Sequence, residues 1–177
     1  SGSNKENPPA SYYKILRTPE DTMENTTHLF LATRFNCNKC HDHPFERWTQ
    51  DNYYGLGAFF QRVQRRKTQR PGEMFVWSAV SGEVIQPRTG QQMKPWVPVD
   101  GTVESLVEGD RRDAFVGWLV NVENPYFAKI EANRIWSECF SRGIVEPIDD
   151  FRDSNPPANG PLLDALAKDF AESGFDR

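Results

Sequence analysis

The stretch Cys37-Asn38-Lys39-Cys40-His41 places two thiols three positions apart and an imidazole directly after the second thiol. Cysteines at this spacing share one helical turn, from which both sulfurs can reach the two vinyl groups of a haem. A histidine directly after them can reach the iron from the same side. The motif therefore predicts one covalently attached haem c, bound through Cys37 and Cys40, with His41 as the proximal iron ligand.

Two other chemistries use clustered thiols and imidazoles. A thioredoxin-type redox pair requires its cysteines at the start of a helix that follows a strand in a βαβ unit, and the sequence shows no such pattern around the motif. A zinc site could use both cysteines, His41 or His43, and one further ligand, although structural zinc usually draws on a second ligand pair elsewhere in the chain. Zinc therefore remains the alternative metal.

The second axial position of the iron has three candidate ligands. His28 lies in a predicted helix before the motif, and a bend near Asn36 could fold that helix over the far face of a haem. Met93 lies in a proline-flanked segment after the motif, from which a thioether could be presented. Met74 lies in a predicted strand, where it could equally fill the core. We favour His28 over Met93, and the position could also be left open.

We assign structural roles to the other residues whose side chains could bind a metal or take part in redox chemistry. We expect His43 to form hydrogen bonds in a packed turn, because it is too close to His41 along the chain to reach the opposite haem face. We expect Cys139 to be a small buried side chain. Asp149, Asp150 and Asp153 miss the spacing of an EF-hand loop and indicate a solvated turn.

The composition indicates a folded protein that is not a general nucleic-acid binder. Hydrophobic residues make up 37% and charged residues 26% of the chain, which is typical of a globular protein. The formal net charge is −4, and we interpret the basic run 62–70 as a solvated face or loop, not a nucleic-acid surface. No apolar stretch approaches the roughly 20 residues that span a bilayer. Nucleic acid is therefore not expected as a partner and no membrane span is expected within this sequence, whereas membrane anchoring through a segment outside it is left open.

Helical periodicity dominates both ends of the chain, and strand signals occur only in the middle. We predict helices near residues 20–35 and 49–60, with Thr49 as the N-cap of the second, and a hairpin from Met74–Trp77 and Glu83–Ile85. The predicted segments are an extended N-terminal arm (1–18), a haem-binding helical segment (19–69), a β-hairpin and proline-rich loop (70–109) and a C-terminal helical segment (110–177). The expected fold is mainly α, a c-type-cytochrome-like helical haem domain with a small β insertion.

Stretches along nearly the whole chain resemble a known family. They are Phe30-Leu31-Ala32, His41-Asp42-His43-Pro44-Phe45, the run 48–56, the run 82–90, Asp110-Arg111-Arg112, Asn124-Pro125-Tyr126-Phe127, Asn133-Arg134-Ile135-Trp136, Gly143-Ile144-Val145 and Asp149-Asp150-Phe151. These stretches are similar to the planctomycete cytochrome-C-associated proteins of unknown function. The resemblance implies a haem and a role in extracytoplasmic redox metabolism. Family members are longer, so it also implies partners that are fused domains or a separate redox protein.

The sequence thus supports two functional hypotheses. The first is a monohaem c-type cytochrome domain that transfers electrons in a periplasmic or otherwise extracytoplasmic protein, since covalent haem attachment in bacteria is completed outside the cytoplasmic membrane. The second is a non-redox interaction or structural domain that haem or zinc stabilises. No Ser-His-Asp or paired-carboxylate arrangement stands out, and the sequence leaves open whether the full-length protein is an enzyme.

Overall fold

The computed structural model describes residues 1–103 and 109–176. Within these ranges the α-helices are α1 (Ser11–Ile15), α2 (Pro19–Leu31), α3 (Gln50–Gly57), α4 (Arg111–Leu119), α5 (Phe127–Phe140) and α6 (Gly160–Glu172), and 3-10 helices span Pro8–Ala10 and Asn36–Lys39. The strands are β1 (Gly2–Ser3), β2 (Val63–Lys67), β3 (Met74–Ser78), β4 (Val84–Ile85), β5 (Gln92–Met93), β6 (Trp96–Val97) and β7 (Gly101–Thr102). None of the described helices is long and apolar enough to cross a bilayer.

Side-chain caps determine where the two helices around the cysteine motif begin. The Thr18 hydroxyl accepts a hydrogen bond from the Asp21 backbone N–H at the start of α2. Thr49 and Asn52 form a reciprocal capping box at the start of α3, which confirms Thr49 as an N-cap. α2 ends at Leu31, short of the predicted residue 35, because Ala32 turns into the left-handed region with φ of 43°.

The largest sheet has three antiparallel strands in the order β1-β3-β2. β2 pairs with β3 from Val63 opposite Ser78 to Lys67 opposite Met74. The basic run predicted to be a solvated face or loop is therefore partly a strand. β2 forms one edge of this sheet, where charged side chains reach water while Val63 is buried against β3.

Two smaller sheets follow, each with two short antiparallel strands. β4 pairs with β5, and β6 pairs with β7. The predicted hairpin partners, Met74–Trp77 and Glu83–Ile85, therefore do not pair with each other: β3 pairs with β1 and β2, and β4 pairs with β5. Residues 104–108 of the predicted segment 70–109 lie outside the described residues.

The main hydrophobic core lies between α2, α3, α4 and the strand β6. Its buried members are Met23, Leu31, Phe35, Trp48, Tyr53, Leu56, Phe59, Phe60, Val97, Phe115 and Leu119. A second cluster between α5 and α6 contains Ala132, Ile144, Val145 and Leu163. The two parts meet beside the cysteine motif, where the Phe151 backbone N–H donates to the Ala32 carbonyl at 3.1 Å and the rings of Phe30 and Phe127 lie 6.2 Å apart.

The expected mainly α, cytochrome-like fold is wrong. Helices make up 40% and strands 13% of the structure, with three small antiparallel sheets, so the architecture is a mixture of α and β elements. The periodicity argument failed because several strands are only two residues long and lie among glycines and prolines, where alternation of polar and apolar residues cannot be detected.

Three local predictions also need correction. Residues 1–18 are not extended throughout, because they form β1, a 3-10 turn and α1, although Tyr12 does dock onto α2 through a hydrogen bond with Asn25. The helical spacing that begins at Phe127 predicts a helix that ends at Gly143, but α5 ends at Phe140 because Ser141 adopts the left-handed conformation. Cys139 is exposed and not buried, since it lines an open cleft between α5 and α6 together with Trp136 and Phe170.

Candidate functional site

The cysteine motif lies on a 3-10 helix, Asn36–Lys39, in the connection between α2 and α3. Cys37 and Cys40 are exposed free thiols, and the Cys40 backbone N–H donates to the Cys37 carbonyl at 3.4 Å. His41 follows on the surface. The structure therefore presents both thiols and the imidazole to solvent on one short turn, next to each other along the chain.

A buried asparagine anchors this turn. Asn38 is fully buried, and its Nδ2 donates to the Trp48 carbonyl at 2.6 Å. Its backbone N–H donates to the Phe35 carbonyl at 2.8 Å, and the Gln50 Nε2 donates to the Lys39 carbonyl at 2.9 Å. Asn38, one of the two residues between the cysteines, is thus held in the core, while Cys37, Lys39 and Cys40 are exposed.

Of the two ring nitrogens of His41, Nδ1 forms a hydrogen bond and Nε2 remains available as a ligand. Its Nδ1 lies 2.7 Å from the Asp42 carbonyl oxygen, which can only accept a hydrogen bond. The Nδ1 therefore carries a proton, and in the neutral ring the lone pair is on Nε2. Metal-bound histidines commonly donate the second ring N–H to a carbonyl in this way, which sets the tautomer and the orientation of the ring. The Asp42 carboxylate in turn accepts from the Gln50 backbone N–H at 2.7 Å, which ties this residue to α3.

His43 has the structural role that the sequence predicts. Its Nδ1 accepts hydrogen bonds from the backbone N–H groups of Phe45 at 3.2 Å and Glu46 at 3.0 Å. Its own backbone N–H donates to the Trp48 carbonyl at 2.8 Å. These bonds hold a tight turn after the motif and confirm the prediction of a hydrogen-bonding histidine.

Two clefts flank Cys37, and both contain this residue in their walls. The first, which we call the loop-side cleft, has a volume of about 520 Å³ and is lined by Thr33, Arg34, Cys37, His43, Glu46, Trp48, Pro147, Ile148, Asp149, Asp150 and Arg152. The second, the helix-side cleft, has a volume of about 710 Å³ and is lined by Ile15, Leu16, Asp21, Glu24, Asn25, His28, Arg34, Asn36 and Cys37. The motif therefore borders open space on two sides.

The candidate second ligands lie in different places. His28 lines the helix-side cleft together with Cys37, and its Nε2 accepts a hydrogen bond from the Arg34 Nε at 3.4 Å. Met93 lies on β5 opposite Val84, and neither cleft is lined by it. Met74 packs against the small cluster around Val63 on the three-stranded sheet. Of the three candidates, the structure brings only His28 into a cleft with a cysteine of the motif.

The described residues contain no group of three or more His, Cys, Asp or Glu side chains arranged to hold a metal ion. Asp149 and Asp150 form ion pairs with Arg134 and Arg152 respectively, at 2.8 Å and 2.6 Å. Those carboxylates are therefore engaged by arginines on this side of the motif.

Tyrosines of α3 lie under the motif and have perturbed acidities. Burial raises the pKa of Tyr53, and its hydrogen bond to Glu24 raises it further. Burial also raises the pKa of Tyr54, and the neighbouring Cys40 adds to that effect. The Glu24 carboxylate accepts from Tyr53 at 2.6 Å and from the Asn36 Nδ2 at 2.7 Å, so it joins α2, α3 and the motif.

The sequence interpretation missed several of these supporting residues. No sequence pattern predicts a role for Asn38, Arg34 or Glu24. A polar residue between two exposed cysteines carries no sign of burial in the sequence, since its burial depends on the distant Trp48 carbonyl. The one sequence feature that points to these contacts is the run 48–56 after the motif. It contains Trp48, whose carbonyl accepts from Asn38, and the helix beneath the turn.

Two family models match separate parts of the chain. Residues 3–65, which include the motif, match PSCyt2, a protein of unknown function (DUF1549). Residues 111–177 match PSD1, a protein of unknown function (DUF1553). Comparison with curated proteins and with solved structures finds no match. The two matches together cover most of the chain, and it therefore belongs to the planctomycete cytochrome-c-associated proteins that carry these two domains of unknown function.

Proposed function

We propose that this protein binds one haem covalently through Cys37 and Cys40, with His41 as the proximal iron ligand, and that it transfers electrons. The observation that carries the proposal is the contrast within the turn: both thiols and the imidazole are exposed, while Asn38 between the thiols is fully buried. A cysteine pair with only a packing role would be expected in the core. Here the buried residue fixes the turn, and the reactive groups face outward.

The donor set fits a haem of the c type. With Nδ1 donating to the Asp42 carbonyl, neutral His41 has its lone pair on Nε2. Addition of each thiol across one vinyl group forms a carbon–sulfur bond and moves the thiol hydrogen to the neighbouring carbon, so no atom is lost. The bound iron would supply reversible one-electron redox chemistry. The clefts on either side of Cys37 offer space next to the attachment point.

The chain's own contribution would be to hold the attachment turn rigid. Asn38 ties the turn to the Trp48 carbonyl, and Gln50 ties it to the start of α3. A turn held in this way would keep His41 in one position, which would lower the reorganisation that accompanies electron transfer at a bound haem. We further propose an extracytoplasmic location, because bacteria complete covalent haem attachment outside the cytoplasmic membrane.

Intact-mass measurement after denaturation tests the attachment. The protein is produced in bacteria that carry a haem-attachment system, and we expect a mass gain of one haem that survives denaturation. The double variant Cys37→Ser/Cys40→Ser should lose that gain. Cys139→Ser is the matched control, since it removes an exposed thiol outside the motif and should keep the haem.

A redox titration of the loaded protein tests the electron-transfer part of the proposal. We expect the visible spectrum to change reversibly on reduction and reoxidation, with a single midpoint for one haem. A colourless protein with stoichiometric zinc would refute the proposal and establish the alternative, a zinc-stabilised interaction domain. An attached haem that cannot be reduced reversibly would refute electron transfer alone.

A further inference from the structure

A third cleft, away from the cysteine motif, is lined mainly by basic side chains, and we call it the basic cleft. It has a volume of about 920 Å³ and is formed by residues of α1, of β2 and of the turn that joins β2 to β3. Its charged lining residues are Lys14, Arg17, Arg65, Lys67, Arg70 and Glu73. Five cations and one carboxylate give the cleft a formal charge of +4, whereas the whole chain has a net charge of −4. The positive charge is therefore concentrated here and is not a general property of the surface.

The fold brings these cations together from separate segments. Side chains alternate along β2, so Arg65 and Lys67 extend from the same face of the strand as Val63. Val63 belongs to a small apolar cluster that also contains Tyr13 of α1. The packing of α1 on this face of the sheet carries Lys14 to the same cleft.

Main-chain carbonyls hold two of the cations in place without neutralising them. The Lys14 Nζ donates to the Gly72 carbonyl at 2.6 Å. The Arg65 Nη1 donates to the carbonyls of Tyr13 at 3.2 Å and Leu16 at 2.6 Å. An ammonium has three N–H donors and a guanidinium has five, so both side chains keep donors for a ligand. Both cations are thus positioned before a ligand arrives.

The one carboxylate in the basic cleft has partners of its own. Glu73 is buried and accepts hydrogen bonds from the hydroxyls of Ser3 and Thr68. These two bonds, that of Ser3 foremost, hold the pKa of Glu73 below its ordinary value, so the carboxylate is ionised at neutral pH. Arg70 lies at the edge of ion-pair distance, with its Nη1 3.9 Å from the Glu73 Oε1. Glu73 therefore offsets only a small part of the positive charge.

Other carboxylates do not complete the neutralisation. Arg17 and Lys67 are exposed, and neither forms an ion pair with any residue in the part of the chain that the structure describes. Asp21 acts electrostatically on Arg65, but it lies in the wall of the helix-side cleft and not in the basic cleft. The basic cleft thus keeps an excess of positive charge that an anionic ligand would neutralise.

Charges on an edge strand can also serve to prevent pairing with another chain. That role accounts for Arg65 and Lys67 on β2. It does not explain why Lys14 of α1, Arg17 before α2 and Arg70 in the turn line the same cleft. The convergence of cations from separate segments favours ligand binding.

We propose that the basic cleft binds the phosphate groups of a ligand. A phosphate ester carries a charge of about −1.5 to −2 and three acceptor oxygens, which suit several converging guanidinium and ammonium donors. The cleft volume lies in the range of about 300–1,000 Å³ that is common for organic ligands. Ile15 also lines the cleft and is 77% exposed, so it offers an apolar contact next to the charges. No residue of the cysteine motif lines this cleft, and the proposal does not depend on haem attachment.

Isothermal titration calorimetry of the complete chain with inorganic pyrophosphate tests the proposal. We expect saturable binding of one pyrophosphate, which weakens as salt is raised. Arg17→Gln/Lys67→Gln should weaken this binding about tenfold, the loss that two exposed ionic contacts produce. Arg88→Gln/Arg142→Gln is the matched control, because both arginines are exposed and lie outside the basic cleft, and it should leave the affinity unchanged.

Co-sedimentation with lipid vesicles identifies the source of the phosphate. Binding to phosphatidylglycerol vesicles but not to phosphatidylcholine vesicles, weakened by Ile15→Ser, would support a phospholipid headgroup as the ligand. Pyrophosphate binding without vesicle binding would support a soluble phosphorylated ligand. Failure of the wild type to bind either probe, or equal loss in both double variants, would overturn the proposal. Tighter binding of polyglutamate than of pyrophosphate would also overturn it, in favour of an acidic protein segment.

Discussion

Replacing Asn133 with alanine removes four hydrogen bonds from the interior of the C-terminal part of the chain. The Oδ1 accepts from the backbone N–H groups of Ile144 at 2.7 Å and Val145 at 2.9 Å. The Nδ2 donates to the carbonyls of Val145 and Ile148, each at 3.1 Å. Asn133 is fully buried on α5, so this one side chain fastens the following loop to the helix.

The expected loss of stability can be worked out from these four groups. A net hydrogen bond contributes about 1 kcal/mol, and a buried group that loses its partner costs about 1–3 kcal/mol. Ile148 is half-buried and lines the loop-side cleft, so its carbonyl can regain water. The three groups on Ile144 and Val145 are shielded, since both residues are buried. We therefore expect Asn133→Ala to lower the free energy of unfolding by about 3 kcal/mol.

Urea denaturation of wild type and variant, followed by far-UV circular dichroism, measures this difference. Asn159→Ala is the matched control, because it also truncates an asparagine but removes a single exposed N-cap bond, from the Leu162 backbone N–H at 3.2 Å. We expect that control to cost about 1 kcal/mol. If Asn133→Ala costs no more than Asn159→Ala, the reasoning from buried backbone partners is refuted.

Two further predictions concern α3 beneath the motif. Tyr53→Phe removes the 2.6 Å bond to the Glu24 carboxylate and should cost about 1–2 kcal/mol at neutral pH. Burial and Glu24 raise the pKa of Tyr53, so its contribution to the stability of the wild type should be fully present below about pH 10, the unfolded pKa, and should fall above it. Tyr53→Phe should reduce that fall. Urea midpoints measured across this pH range test the difference. Gly55→Ala should lower the melting temperature, because the added Cβ would lie 2.6 Å from the Trp96 Cβ, whereas Gly57→Ala, with nothing within 4 Å, should raise it. A melting temperature that rises in both glycine variants, or a pH dependence unchanged by Tyr53→Phe, would contradict these expectations.

The family resemblance noted in the sequence acquires a physical explanation in the C-terminal part. The stretches that begin at Asn133 and Gly143 are joined by the hydrogen bonds of Asn133 to Ile144 and Val145. Gly143 itself leaves no room for a side chain, since a Cβ there would lie 2.4 Å from the Val145 carbonyl oxygen. The Arg134–Asp149 ion pair connects the stretch that begins at Asn133 to a third resembling stretch, Asp149-Asp150-Phe151. Separate sequence motifs thus form one loop-to-helix contact.

The sequence alone determined the features that depend only on neighbouring residues. The N-cap at Thr49 depends on neighbours within a few positions, and the spacing of Cys37 and Cys40 is itself a feature of the sequence. A side-chain oxygen that caps a helix start acts over three residues, so its effect does not require knowledge of the rest of the fold. The family was recognisable for a similar reason, since its motifs are short and contiguous.

Only the tertiary structure determined which distant groups meet. Three features depend on contacts that sequence periodicity cannot identify. They are the pairing of β2 with β3, the burial of Asn38 under the Trp48 carbonyl and the exposure of Cys139. The same holds for the cleft shared by His28 and Cys37. Strand pairing and burial result from competition among many possible partners across the chain. Which partners meet is determined only when the whole chain folds.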